Sequence, residues 1–299
     1  MEEKDFINDI DNQRADICCA RLAEKSRSYI LSLFDKSLVF VNGVVAKKSA
    51  KLKAGDMIHI IFPDEEMPDL TPKNIPFDIL YDTENYAVIN KPAGLTCHPA
   101  PGNYTDTLVN ALLYTFNIND ENNDFRPGIV HRLDKDTSGI MIIAKNTEYR
   151  MKLSELFFNR NITKKYQAIC SGTPKFVEKT IELPIGRDKY NRQKMAVRDD
   201  GKMAKSHFKV LEIYKRAFLA EVTIFTGRTH QIRVHAASMN HALVGDSLYG
   251  GKELHGFTRQ ALHSSYLEFQ APDTGQNLFF SLQLPPDMVV LRERLFKER

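Results

Sequence analysis

The spacing of apolar residues changes several times within the first sixty positions, and each change predicts an element. After Ser26, a favourable N-cap residue, apolar side chains recur at helical spacing over residues 29–34. Two β-branched runs then flank the dipeptide Asn42-Gly43, which is typical of a tight β-hairpin. A further apolar run predicts a strand near residue 60. Residues 14–61 are therefore expected to form a small compact domain.

A stretch rich in proline and acidic residues separates this domain from the rest of the chain. Residues 62–76 contain four prolines and four acidic residues, which predicts a stiff, extended linker. The polar residues 1–13 are expected to be a frayed leader. The boundary is placed at the linker, so that the larger domain spans residues 77–299.

In the larger domain, short apolar or alternating runs outnumber helical patterns. They predict strands at 86–90, 140–144, 166–170, 208–213, 217–225 and 278–282. Helical spacing is found at 107–115, 147–158 and 231–239. Many strands, few helices and several tight turns predict an α+β fold with a mainly antiparallel sheet.

The composition limits the class of protein. The four cysteines, at positions 18, 19, 97 and 170, form neither a C-x-x-C pair nor a zinc-binding pattern, so reduced thiols in the cytoplasm are expected. The acidic, polar N-terminus does not resemble a signal peptide. No apolar run approaches the roughly 20 residues needed to span a bilayer, so no membrane association is expected.

The net charge of +3 conceals an uneven distribution. Residues 14–53 contain nine Lys and Arg against three Asp and Glu, and residues 145–216 contain eighteen against eight. Two basic stretches in an otherwise acidic chain indicate a bound polyanion. For any single lysine, a solvated surface position is the simpler interpretation.

The most informative segment surrounds Asp134, which stands among cations in a turn-rich stretch just before a predicted buried strand. Catalytic residues are often found on such loops, where a rigid element holds them. His131, Arg132 and Lys135 are expected to favour the ionised form of Asp134 and to bind a polyanion. The neighbouring Asp136 is expected to close the turn, which leaves Asp134 available for chemistry.

A second group of basic residues spans positions 226–235. Thr229 is expected to cap the helix that follows. Arg228 and Arg233 lie near the N-terminus of that helix, where cations are disfavoured, so an anionic partner such as RNA phosphate or a carboxylate is expected. His230 and His235 are five residues apart and do not share one helical face, so no metal site is expected. No glycine-rich phosphate-binding motif is present, and no cofactor is expected.

Several sequence blocks occur together in a fixed order: INKPAGL (89–95), HRLDKDTSG (131–139), KKYQA (164–168), TGRTHQIRVH (226–235) and VGDSLYGG (244–251). They resemble bacterial pseudouridine synthases of the RluA/RluD type, which act on large-subunit ribosomal RNA. Residues 14–61 resemble the small αL RNA-binding domain first seen in ribosomal protein S-four, with Ser37 where glycine is usual. The resemblance implies an isomerase whose α+β catalytic domain follows an RNA-binding domain.

The resemblance also implies roles for individual residues. Asp134 corresponds to the catalytic aspartate, Arg233 to its basic partner and Tyr166 to the tyrosine that packs against the target uracil. Arg132 corresponds to the arginine that helps to extrude the target base. Substrate binding is expected at His131, Arg132, Arg228 and His230. RNA binding by the small domain is expected at Arg27, Lys36, Lys47, Lys48, Lys51 and Lys53.

Several alternatives remain open at this point. Asp134 could attack the anomeric carbon or remove the neighbouring ribose proton to give a glycal. A related RNA-binding protein without catalysis, an N-glycosidase that hydrolyses instead of rejoining, and a synthase acting on transfer RNA are the competing functions. The sequence does not determine which uridine is modified. A monomer is expected, because RNA must reach both domains.

Overall fold

A computed structural model describes residues 2–63, 69–99, 104–116, 118 and 126–298. The chain divides into two compact units, Met1–Met67 and Pro68–Arg299. Each unit has its own hydrophobic core, and the two are described separately.

The described part of the first unit contains two helices and six short strands. The helices are α1 (Ala15–Leu22) and α2 (Arg27–Asp35), and the strands are β1 (Glu2–Ile7), β2 (Gln13–Arg14), β3 (Val39–Val41), β4 (Val44–Val45), β5 (Lys51–Leu52) and β6 (Met57–Phe62). An antiparallel sheet has the order β1-β6-β3-β4, and β2 pairs with β5. Helix α2 begins as predicted, because the Ser26 hydroxyl accepts a hydrogen bond from the Tyr29 N–H.

The leader that was expected to fray is a strand of this unit. β1 pairs antiparallel with β6 from Glu2 opposite Phe62 to Ile7 opposite Met57. Most of its side chains are exposed, and only Phe6 packs partly against the core. Backbone hydrogen bonds therefore hold β1 at the sheet edge, and the first unit begins well before residue 14. This strand has no hydrophobic alternation from which it could be predicted.

Ser37 lies in the turn that follows α2. Its φ of +59° is in the left-handed region, where glycine is favoured. Ser37 therefore adopts the conformation that glycine takes most readily.

The second unit contains four α-helices, one 3-10 helix (Ser247–Tyr249) and ten strands among its described residues. The helices are α3 (Leu108–Phe116), α4 (Thr147–Phe158), α5 (Gln231–Ser238) and α6 (Pro286–Phe296). The strands are β7 (Asp78–Asp82), β8 (Tyr86–Lys91), β9 (Ser138–Ala144), β10 (Ile162–Ser171), β11 (Glu178–Arg187), β12 (Met195–Val197), β13 (Lys202–Ile213), β14 (Ala217–Ile224), β15 (Leu262–Gln270) and β16 (Asn277–Ser281).

All ten strands form one sheet in the order β12-β11-β13-β14-β10-β15-β9-β8-β7, and β16 pairs with β15. Only the β9–β15 pair is parallel, so the predicted mainly antiparallel α+β fold is confirmed. Alternate residues of β8 enter different cores: Ile89 packs with α3 and α5, whereas Val88 packs with α4. Every residue of β9 is buried, because helices cover both faces of the sheet.

The predicted linker is shorter than expected. Its first residue, Phe62, ends β6, and residues 64–68 lie outside the described residues. Beyond them the chain is tied to the second unit, because Asn110 of α3 donates hydrogen bonds to the carbonyl oxygens of Asp69 and Thr71 at 2.7 and 2.9 Å. Ile75 packs against the core of that unit.

Candidate active site

The loop before β9 brings Asp134 to an open cleft. The loop is closed by a backbone hydrogen bond from the Thr137 N–H to the Asp134 carbonyl oxygen at 3.1 Å. Gly139 then enters β9 with a φ of +116°, and an added Cβ would lie 2.2 Å from the Ser264 carbonyl oxygen. Only glycine permits this close approach between β9 and β15. The position of Asp134 is therefore fixed by the sheet directly behind it.

Three charged groups form a cluster behind the cleft. The Asp134 Oδ2 atom lies 3.1 Å from Arg233 Nη1. The same guanidinium donates from Nε and Nη2 to the two carboxylate oxygens of Asp246 at 2.7 and 2.8 Å. The exposed fractions of the side chains are 17% for Asp134, 8% for Arg233 and 1% for Asp246. The outer carboxylate of the cluster is therefore the one that a ligand can reach.

This arrangement keeps the guanidinium of Arg233 positively charged. Burial alone would lower the pKa of its guanidinium, but the hydrogen bonds to Asp246 and the charges of both carboxylates raise it above its ordinary value. The bidentate contact with Asp246 also fixes the plane of the guanidinium. The remaining nitrogen, Nη1, is thereby directed at Asp134. The anionic partner that was expected for Arg233 is this pair of carboxylates.

His230 lies on the other side of Asp134. Its Nε2 atom is 3.9 Å from Asp134 Oδ1, and its Nδ1 atom is 2.7 Å from the Tyr249 hydroxyl. That hydroxyl accepts a hydrogen bond from the Met195 N–H, so its own proton is available to Nδ1. We assign the His230 proton to Nε2, the nitrogen that faces Asp134, so that Nδ1 accepts a hydrogen bond from the Tyr249 hydroxyl. Burial lowers the pKa of His230, which favours this neutral form.

Tyr166 projects into the same cleft from β10. It lines the cleft together with Asp134, and only 6% of its surface is exposed. Burial raises the pKa of Tyr166, so the phenol stays protonated at neutral pH. The structure therefore brings together Asp134, Tyr166 and Arg233 from three separate sequence blocks.

His131 differs from the expectation that it supports the charge of Asp134. Its Nε2 atom accepts a hydrogen bond from the Ile142 N–H at 3.0 Å, and its ring stacks on Phe157 at 4.4 Å. Burial lowers the pKa of His131 to about 3, with a smaller contribution from Lys164. A neutral imidazole cannot stabilise a carboxylate by its charge, so that expectation was wrong. His131 nevertheless lines the cleft.

Arg132 and Arg228 stand at the cleft surface. Arg132 is exposed and forms no ion pair within the described ranges of the chain. Arg228 donates from Nε to the Met203 carbonyl oxygen at 3.2 Å and keeps its charge unpaired by any described carboxylate. The cleft has a volume of about 380 Å³, and a second depression of about 760 Å³ is also lined by Asp134 and Arg132.

The start of α5 differs from the prediction that Thr229 caps it. The N-cap is His230, which has a φ of +55° and makes no side-chain capping bond. Gln231 stabilises the turn instead, because its Oε1 accepts hydrogen bonds from the Arg228 N–H and the Thr226 hydroxyl at 3.0 and 2.7 Å.

Sequence reasoning assigned no role to Asp246 or to Lys91. Lys91 is fully buried, and its ammonium donates to the carbonyl oxygens of Pro92, Leu95 and Lys135 at 2.7, 2.8 and 3.0 Å. Burial lowers its pKa to about 8. Lys91 therefore ties the INKPAGL block to the loop of Asp134. Lys91 lies in the INKPAGL block and Asp246 in the VGDSLYGG block. Their place in these blocks was the signal by which the sequence could have indicated them.

The six cations predicted to bind RNA in the first unit are all exposed. Arg27 already binds the buried Asp16, with Nη2 2.6 Å from Oδ2. Lys48 lies 3.4 Å from an Asp35 oxygen, and Lys51 donates to a backbone carbonyl. Ion pairs to other described residues are absent for Lys36, Lys47 and Lys53.

The described residues contain no group of three or more His, Cys, Asp or Glu side chains that could hold a metal ion. None of the helices within the described ranges is long and apolar enough to cross a membrane.

Comparison with known proteins identifies the family. The family model for RNA pseudouridylate synthase matches residues 85–238. An "Uncharacterized RNA pseudouridine synthase YlyB" of Bacillus subtilis is 41% identical over 91% of this chain and 90% of its own length. A "Ribosomal large subunit pseudouridine synthase D" of Pseudomonas aeruginosa is 39% identical over 97% of this chain and 94% of its own length.

Solved structures agree with the sequence relatives. The structure of "Human RNA Pseudouridylate Synthase Domain Containing 4" matches with a TM-score of 0.58 and 25% identity, and the match covers 73% of this chain and 93% of that chain. The sequence blocks, the sheet and the relatives agree with one another, and the chain belongs to the RNA pseudouridine synthase family.

Proposed function

We propose that this protein isomerises uridines of large-subunit ribosomal RNA to pseudouridine. The observation that supports this best is the Asp134 carboxylate, which faces a cleft while Arg233, itself held by Asp246, balances its charge from behind. Membership of the family supports the reaction. Relatives named ribosomal large subunit pseudouridine synthase D support the choice of RNA.

The target uridine must leave its base stack before its ribose can reach Asp134, at a cost of roughly a few kcal/mol. Arg132 is suited to offset this cost, because its guanidinium is exposed at the cleft and has no ion-pair partner among the described residues. It fills the gap in the stack or binds the phosphate of the extruded nucleotide. Arg228 and His230 contribute polar contacts from the neighbouring wall.

The reaction breaks the bond between uracil N1 and ribose C1′. Uracil leaves as a delocalised anion, so no second carboxyl group is needed to protonate the leaving group, in contrast to glycoside hydrolysis. Asp134 acts on the sugar by one of two routes, attack at C1′ or removal of the C2′ proton to give a glycal. The base then turns and C5 bonds to C1′, as the bond from Asp134 to C1′ breaks or the C2′ proton returns. The C5 proton is lost and N1 takes up a proton, so the product is an isomer of the substrate.

Tyr166 limits the movement of the detached base. Its ring lines the cleft beside Asp134 and offers a flat apolar surface to uracil. Because burial raises its pKa, the phenol is a hydrogen-bond donor at neutral pH and a poor base. Removal of the C5 proton therefore falls to another group, and Asp134 is the ionised residue closest to the reaction.

The first unit binds RNA in this proposal, as an RNA-binding domain similar to that of ribosomal protein S-four. Its exposed lysines at 36, 47 and 53 are available to phosphates, and Arg27 shares its charge with Asp16. The protein acts as a cytoplasmic monomer on this view, because ribosomal RNA must have access to both units.

The test is a pseudouridine map of ribosomal RNA from a strain that lacks the protein and is complemented with wild type or Asp134→Asn. The substitution keeps the shape of the side chain and removes its charge. We expect wild type to restore the missing pseudouridines and Asp134→Asn to restore none, because loss of the reacting group lowers kcat by roughly 10³-fold or more. Equal modification by both proteins would refute the proposal. Free uracil among the products would indicate hydrolysis, and modification confined to transfer RNA would correct the substrate.

A further inference from the structure

Lys164 is a cation at the cleft that has no anionic partner among the described residues. It precedes Tyr166 by two residues on β10, so both side chains lie on the same face of the strand and line the cleft. Its ammonium lies 5.1 Å from the centre of the Phe157 ring, and burial lowers its pKa to about 8. No carboxylate among the described residues forms an ion pair with it. Lys164 is half-buried, so water compensates its charge only in part, and a bound anion would stabilise it further.

The adjacent lysine provides an internal comparison. Lys165 points to the other face of β10, where its ammonium lies 3.2 Å from Glu221 Oε1. Its ammonium also lies 5.5 Å from the centre of the Tyr266 ring. The described residues therefore neutralise Lys165 and leave Lys164 without a carboxylate partner.

An exposed aromatic ring lies at the same cleft. Phe158 is the last residue of α4, lines the cleft and is 86% exposed. Its neighbour Phe157 packs beneath Lys164 and against His131, whereas the Phe158 ring contributes little to the core. An exposed ring beside a cation is the combination that single-stranded nucleic acid uses, because every base can stack and every nucleotide carries a phosphate.

We propose that Lys164 and Phe158 form a subsite for the nucleotide next to the target uridine. The ammonium binds the phosphodiester of that nucleotide, and the Phe158 ring stacks on its base. The inference rests on the proposed function, because it requires RNA in the cleft. The subsite adds RNA contacts from β10 and α4 to the RNA contacts proposed for Arg132 and Arg228. The protein then recognises the flanking nucleotide as well as the target uridine.

The test of the phosphate contact compares Lys164→Met with Lys165→Met. Steady-state kinetics are measured on an unmodified transcript of large-subunit ribosomal RNA at several salt concentrations. We expect Lys164→Met to raise KM about tenfold, as for loss of a hydrogen bond to a charged group, with kcat within about twofold of wild type. The slope of log KM against log salt should fall by roughly 0.7, the value for one phosphate contact with a single strand. Lys165→Met should leave the slope unchanged.

Lys164→Arg keeps the positive charge and should recover most of the affinity and the salt dependence. A Lys164→Met protein with the KM and salt slope of wild type would overturn the phosphate contact. Equal effects of Lys164→Met and Lys165→Met would overturn it as well, because they would show a general effect of charge. These outcomes differ from failure of the proposed function, in which the wild-type protein itself forms no pseudouridine.

The stacking contact is tested separately with Phe158→Ala and, as its control, Met151→Ala, which removes another exposed apolar side chain of α4. Loss of one base–aromatic stack should raise KM roughly tenfold. A transcript whose flanking nucleotide is replaced by an abasic residue should show the same KM with both wild type and Phe158→Ala. If Phe158→Ala keeps the wild-type KM on the intact transcript, the ring is not part of the subsite.

Discussion

Each unit of this protein has a cluster of three carboxylate and guanidinium groups, and the two clusters have opposite composition. In the second unit, Arg233 lies between Asp134 and Asp246. In the first, Asp16 lies between Arg14 and Arg27. The central group is buried in both, with 8% of Arg233 and none of Asp16 exposed. One cluster therefore has an excess of negative charge and the other an excess of positive charge.

The outer groups of the two clusters differ in how firmly they are held. Asp134 is 17% exposed, on a loop anchored by the sheet, and this suits a group that must meet one carbon or one proton of a ribose. Arg14 and Arg27 are 40% and 54% exposed, and pairs so close to solvent contribute little to stability. The same two chemical groups are thus held firmly beside the cleft in one unit and lie near the solvent in the other, because the burial of the outer groups differs.

The largest expected effect comes from a substitution at Asp246, the most deeply buried member of the cluster that it forms with Arg233 and Asp134. Asp246→Asn removes the carboxylate that fixes the Arg233 guanidinium, and loss of one partner of a buried pair costs about 3 kcal/mol. We expect the free energy of unfolding to fall by that amount in urea titrations. We also expect kcat to fall about 100-fold, because Arg233 no longer holds Asp134 in one orientation.

The control for this change is Asp287→Asn, which breaks a pair of the same bidentate geometry with Arg259 at 2.7 and 2.9 Å. Asp287 is 47% exposed, so its loss should cost at most about 1 kcal/mol and leave kcat unchanged. Similar losses of stability in the two variants would show that burial does not distinguish these clusters.

A smaller effect is expected from breaking the cluster of the first unit. Burial alone would raise the pKa of Asp16, but hydrogen bonds from Arg14 and Arg27 outweigh it and hold the pKa below its ordinary 3.8. Asp16→Asn should therefore lower the free energy of unfolding by at most about 1 kcal/mol at pH 7, since both guanidiniums are half exposed.

The sign of the pH dependence follows from the lowered pKa. The stability from the ionised Asp16 is present above pH 3.8 and is lost as the pH falls through the lower pKa of the folded state. The difference between wild type and Asp16→Asn should thus be constant near neutral pH and shrink below about pH 4. A difference that grows on acidification would mean that burial, and not the guanidiniums, determines the charge of Asp16.

The smallest effect is expected from the surface lysines that would extend the positive charge of the first unit. Lys47→Ala and Lys53→Ala should each lower the slope of log Kd against log salt by roughly 0.7 to 0.9 for RNA binding, with kcat unchanged. Lys4→Ala is the control, because Lys4 is already paired with Glu2 at 2.8 Å. If all three substitutions change the slope equally, RNA does not use a particular face of this unit.

The sequence predicted the elements whose patterns are local. The Ser26 cap and the Asn42-Gly43 turn depend on residues a few positions apart, and so does the unbroken apolar run of β9. Strands without such patterns were missed. β15 has the sequence LHSSYLEFQ, in which buried serine and histidine side chains interrupt any apolar alternation. His263 and Ser264 form hydrogen bonds with Ser138 and Ile140 of the neighbouring β9.

The sequence by itself determined that Asp134 stands on a turn before a buried strand, and that its block occurs with the blocks of Tyr166 and Arg233. It could not determine which of these groups touch. Asp134 and Arg233 are 99 residues apart in the sequence. Their contact depends on how the strands β9 and β10 and the helix α5 pack together. Tertiary structure alone revealed Asp246 as the anchor of Arg233 and the neutral state of His131. Both follow from burial, which gathers distant segments and excludes the water that would otherwise solvate their charges.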